Sequence, residues 1–190
     1  MSKGVNILLP SVDENPDKEV GYTRPLPAIL AAHQQIHNGK GFTHNDRHLN
    51  LANAGVSDHL IKVGDNALHV TYFGVVATGS PVVVEYYENT TVSADGTPMA
   101  LGNNNRTSEK VTTATMFEGP TITGVGDRLG GTEIPDITVG AGQSSGGQAI
   151  LGGGEWILKP NTNYLYRITN NSGSAINYNI TLFYYEPGLS

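Results

Sequence analysis

Between Ala175 and Glu186, Ile176, Tyr178, Ile180, Leu182 and Tyr184 take every second position, and Asn177, Asn179 and Thr181 stand between them. Side chains of a strand alternate between its two faces, so this segment suits a sheet that is covered on one side and wet on the other. A slip of one residue would expose all five apolar groups at once, which fixes the register. The same texture runs back to about Leu60. Leu68, Val70 and Tyr72 are expected to face one way and His69, Thr71, Phe73 and Val75 the other, while Val82, Val84 and Tyr86 alternate against Val83, Glu85 and Tyr87. Thr78-Gly79-Ser80-Pro81 supplies a turn between those two strands. Asp95-Gly96 is a hairpin signal. A Thr-rich strand is expected from Thr107 to Phe117, and a short one from Ile134 to Val139 that Pro135 confines to an edge. Gly140 to Gly154 reads as a loop, and the strands starting at Glu155, Tyr164 and Ala175 read as a closing meander.

Upstream of Leu60 the pattern differs. Leu26, Ile29, Leu30, His33, Ile36 and His37 share one helical stripe, with Pro25 and Pro27 at its start and Gly39 as its stop, so one short helix is expected there. Residues 1–24 hold Pro10, Pro16 and a charged stretch around Asp13 to Glu19 with no sustained period, and read as an extended arm.

Several classes of function are excluded or weakened. The chain has 190 residues, 11 Lys and Arg against 17 Asp and Glu, and a net charge of −6, so a phosphate backbone is repelled and no nucleic-acid partner is expected. No apolar run approaches the ~20 residues that span a bilayer, so no membrane partner is expected. The absence of cysteine removes thiolate nucleophiles and disulfides together. All six His fall in the first 69 positions: His33, His37, His44, His48, His59 and His69. His33 and His37 have a zinc-compatible spacing, but Gln34 stands where a metalloprotease needs Glu. A metal-binding barrel would place two His on alternate positions of one strand, and His69 is followed by Thr71. The imidazoles are therefore expected to pack at the helix and its contact surface. Asp127, Glu133, Asp136 and Glu155 show no paired spacing for acid and base work. No catalytic, metal or cofactor-binding residue is assigned. The aromatics Tyr72, Phe73, Tyr86, Tyr87, Trp156, Tyr164, Tyr166, Phe183, Tyr184 and Tyr185 fit either a core with a subunit interface or a platform that stacks on sugars.

The run Glu155-Trp156-Ile157-Leu158-Lys159-Pro160-Asn161-Thr162-Asn163-Tyr164-Leu165-Tyr166-Arg167-Ile168-Thr169-Asn170, with Tyr184-Tyr185-Glu186, resembles auxiliary head proteins of tailed bacteriophages. The helix with His33 and His37, Asn38 to Phe42, and Asn104-Asn105-Arg106 extend the likeness over about residues 25–187. The resemblance implies an all-β jelly-roll β-sandwich, usually trimeric, on the outside of a capsid as decoration or cement. The expected organisation is an arm over 1–24, a helix and loop segment packed on the sandwich over 25–60, and the jelly roll over 61–190. The expected partners are the major capsid protein and the chain itself as a homotrimer, on the virion surface after synthesis in the host cytoplasm. Tyr22, Arg24, Leu26, His33, His37, Tyr87 and Tyr185 are the expected interface residues. The alternative is a receptor- or glycan-binding tip or fibre module of the virion.

Overall fold

The computed structural model describes residues 31–135, 147–150 and 154–190. Helix α1 (Ala31–His37) leads into strands β1 (Gly41–Leu51), β2 (Val56–Lys62), β3 (Leu68–Ala77) and β4 (Val82–Glu88). Shorter strands follow: β5 (Thr91–Ala94), β6 (Thr97–Met99), β7 (Gly102–Asn103), β8 (Thr115–Glu118) and β9 (Thr121–Gly124). The last are β10 (Asp127–Ile134), β11 (Gly147–Ile150), β12 (Trp156–Leu158), β13 (Asn163–Asn170) and β14 (Ile176–Tyr185). One sheet has the order β11-β3-β14-β1-β7, with β12 also on β3, and the other β10-β4-β13-β2-β8-β6. β5 and β9 pair separately. The long pairings are antiparallel and nested: β1 with β14, β2 with β13, β3 with β11 and β12, and β4 with β10. The protein is an all-β antiparallel sandwich.

Its core lies between the two sheets. Phe42, Phe73, Val75, Ile180 and Leu182 from the first meet Ile61, Val84, Tyr86, Tyr166 and Ile168 from the second. Phe73 stacks on Tyr166 at 4.1 Å between ring centroids, and Tyr86 stands edge-on to both. These offset and edge-to-face contacts add to the area that the rings bury. All five alternating apolar residues of β14 are in this core, as are Val82, Val84 and Tyr86 of β4.

Other expectations are corrected. The sandwich begins at Gly41, so residues 41–62 supply two strands instead of a segment packed upon it. β1 escapes a pattern search because His44, Asp46 and His48 follow Phe42 at its alternate positions. In β3, Phe183 pairs with Tyr72 but Tyr184 pairs with Val70, so Thr71 is an extra residue. The bulge reverses the phase, and Leu68, Val70, Phe73 and Val75 all face the core. Asp95-Gly96 closes no hairpin: only Gly96 of the two takes a positive φ, β5 pairs with β9, and β6 pairs with β8. The Thr-rich strand shortens to Thr115–Glu118. The last three strands form no meander, because β12 and β14 belong to the first sheet and β13 to the second. Asn161, in the left-handed region at φ 53°, turns the chain from one sheet to the other, a route that its local sequence does not distinguish from a hairpin. β10 stops at Ile134, before Pro135, on the edge of its sheet. Gly147–Ile150, expected within a loop, is strand β11. The arm over 1–24, the first half of the expected helix and residues 136–139 lie outside the described residues.

Two buried polar side chains tie the ends of the sandwich. Asn170 is fully buried; its amide donates to the carbonyls of Leu51, Ala52 and Ser174, and its oxygen accepts from the Ser172 amide. It joins the β1–β2 turn to the β13–β14 turn. Glu186, also fully buried, accepts from the hydroxyls of Thr112 and Thr113 and from the Thr113 amide. Replacing Asn170 by Ala removes the partner of three carbonyls and one amide at once and leaves a cavity at a fully buried site, and is expected to cost about 2–4 kcal/mol in urea unfolding. Exposed Asn53 also accepts a hydrogen bond, from Gly173, yet Asn53→Ala should cost under about 0.5 kcal/mol. Equal losses for the two variants would contradict this account.

Candidate functional site

On β14 the residues between the core positions point outward, away from the second sheet. Beside them on β3 lie Tyr72 and Val76, and Ile157 of β12 continues the face. Phe183 is 40% exposed, Val76 47% and Ile157 62%. Phe183 and Tyr72 meet edge-on at 6.2 Å. The Tyr72 ring lies across Gly74, where a Cβ would stand 2.5 Å from the phenol oxygen, so glycine is what lets the ring lie there. This face is nearly without charge. Among the described residues, the strands of the first sheet carry only Asp46 and Arg47, both on β1, and every other charged strand residue belongs to the second sheet. There, Arg167 grips Asp58 with two bonds of 2.8 Å each, and Arg128 donates to Glu85 at 2.9 Å.

The sequence does hold a signal for this face. Asn66 to Val84 and Ile168 to Tyr185 contain no Asp, Glu, Lys or Arg, and these two stretches contribute the adjacent strands β3 and β14. The expected interface residues fall in several places. Tyr185 is buried; its hydroxyl donates to Glu155 at 2.7 Å, and its ring stacks on His69, which also contacts Glu155. Burial, then the Glu155 carboxylate, pushes the Tyr185 phenol up to about 12. His33 and His37 are exposed on α1, with their Nε2 atoms 2.9 Å apart. That helix precedes Gly41, the register partner of Tyr185. Tyr87 lies on the second sheet and so does not join them. Tyr22, Arg24 and Leu26 lie outside the described residues. Val76 and Ile157 were not among the expected residues. Of the ten aromatics considered for sugar stacking, Phe183 alone is exposed; the others are buried or half-buried.

His44, His48 and His59 are buried within the sandwich and not at the helix surface where packing was expected. Among the described residues, no group of three or more His, Asp or Glu side chains is arranged to hold a metal ion. Likewise, no helix among them is long and apolar enough to cross a membrane. Comparison with family models, curated proteins and solved structures finds no match to this chain.

If the outer face of the first sheet serves association and not folding, its residues are dispensable for stability. Phe183→Ser and Ile157→Ser are then expected to change the unfolding free energy of the dissociated chain by under about 0.5 kcal/mol. Leu182→Ala, one position away but facing the core, should cost about 2–5 kcal/mol. A core-sized loss at Phe183 would show that the fold itself needs that ring.

Proposed function

We propose that the chain is a non-enzymatic decoration protein that binds the outside of a phage capsid as a homotrimer and stabilises the shell. The observation that carries this reading is the outer face of the first sheet, apolar at Phe183, Val76 and Ile157 and free of charge along β3 and β14. Copies that each bear a net charge of −6 repel one another, and a face without charge is where they approach at least electrostatic cost. Depletion of charge with aromatic enrichment is also the compositional mark of an interface core.

The fold supports the same reading. Nested pairing yields β1-β14-β3-β11 in one sheet and β2-β13-β4-β10 in the other, the order expected when a long hairpin is wound into a jelly roll. That architecture occurs in viral capsid and lectin domains alike, so the capsid reading rests on the surface and the resemblance and not on the fold. A ligand that binds only the assembled shell stabilises it by mass action, and a trimer touching several shell subunits gains avidity. No chemistry is required. The burial of most aromatics leaves little platform for a sugar.

The test combines light scattering with co-sedimentation on stripped phage heads. The full chain should be a trimer that pellets with heads. Phe183→Glu should dissociate it and lower head occupancy by an order of magnitude or more. Removal of residues 1–24 should leave the trimer intact and reduce occupancy. A chain that is trimeric but never pellets with heads would refute the capsid reading, whereas a monomeric wild type would refute the assembly.

A further inference from the structure

We propose that His59, with His44 and His48 packed beside it, makes one edge of the sandwich acid-labile, so that β1 and β8 come away from β14 and β2 in mild acid while the rest stays closed. The inference does not depend on what the protein binds. Along that edge the two sheets are joined by imidazoles. His44 Nδ1 donates to the Ala100 carbonyl at 2.8 Å, and His48 Nδ1 donates to Glu118 of β8 at 2.9 Å. The Tyr178 hydroxyl of β14 donates to Ser57 at 2.6 Å, so its oxygen accepts from His59 Nε2 at 3.1 Å. The Ser57 hydroxyl also lies 3.3 Å from His59 Nε2, and the tautomer that gives Nε2 the proton, shared between Tyr178 and Ser57, leaves lone pairs on His44 Nε2, His48 Nε2 and His59 Nδ1. All three nitrogens are buried without a partner.

A further proton on His59 Nδ1 would create a buried N–H with no acceptor and a charge beside other imidazoles. His48 and His59 are 4.9 Å apart between ring centroids. The other groups facing the cluster offer little relief. Glu118 already binds His48, Asp46 stands exposed at the rim, Asp58 is held outward by Arg167, and Tyr178 is committed to Ser57. Burial first, then His48 and His44, lowers the His59 pKa from 6.5 to about 3. An opened chain therefore takes up a proton that the closed one refuses. The stability that neutral His59 supports is complete above about pH 6.5 and is lost as pH falls toward 3. Between pH 7 and pH 5 the opening constant should rise roughly 25-fold from His59 alone. At the opposite edge Phe73, Tyr86 and Tyr166 pack instead, and burial pushes both phenols up, out of this range.

Amide hydrogen exchange on the full chain at pH 7 and pH 5, corrected for intrinsic exchange, tests this. Amides of β1 and β8 should open roughly 25-fold more at pH 5, while those of β3, β4 and β13 change several-fold less. His59→Phe, or His59→Gln if the first does not fold, should remove most of the pH dependence. If neither variant folds, the wild-type pattern decides. Equal opening in all strands, no change in β1 and β8, or an undiminished response in a folded variant would overturn the proposal.

Discussion

β14 is the strand on which the sandwich depends, because it lies between β1 and β3 and sends five apolar side chains into the core. Its register is enforced from both sides. A one-residue shift would expose five buried groups, each contributing roughly 1.5–3 kcal/mol, and would bury Asn177, Asn179 and Thr181 in their place. With β14 fixed, β1 and β3 are positioned by its two edges, and the first sheet is set. The second sheet then has one apolar face to cover, and β4 and β13 cover it with Val84, Tyr86, Tyr166 and Ile168.

The same alternation makes β14 and β4 legible in the sequence and hides β1. A strand is recognised when its inner positions are apolar, and the inner positions of β1 after Phe42 are His44, Asp46 and His48. β3 is legible as a strand but not in phase, since one extra residue at Thr71 exchanges the faces without altering the local composition. Asp95-Gly96 shows the opposite failure, a strong local signal overruled when β5 and β6 each find better partners elsewhere. Hairpin chemistry is local, whereas the choice between turning back in one sheet and crossing to the other is made by the long-range pairing of β3 with β12 and of β13 with β2 and β4.

The outer face of the first sheet was legible by what it lacks. Asn66 to Val84 and Ile168 to Tyr185 are free of ionic residues, whereas β1, β2, β4, β8, β10 and β13 each carry at least one. What the sequence does not contain is their adjacency, which comes from the β3–β14 ladder. Tyr185 illustrates the limit of reading residue types: an aromatic with a polar tip fits an interface, but here the tip is bound to Glu155 and the ring to His69, so the residue closes one end of the sheet. Phe183, two residues earlier and with no polar atom to bind, is the exposed aromatic of that face.

The two sheets thus divide the physical tasks. Among the described strands charge is gathered on the second sheet, where Arg167 pairs with Asp58 and Arg128 with Glu85, and the first sheet carries only Asp46 and Arg47. Between them the core is packed by aromatic rings at the β3–β4 edge, where the Tyr86 hydroxyl is the buried polar atom without a partner, and is imidazole-linked at the β1–β8 edge, where there are three. An apolar core there would be drier and more cohesive, since each buried polar atom without a partner costs on the order of 1–3 kcal/mol. A fold carrying three such nitrogens along one edge retains less margin there than elsewhere, so local opening should begin at that edge.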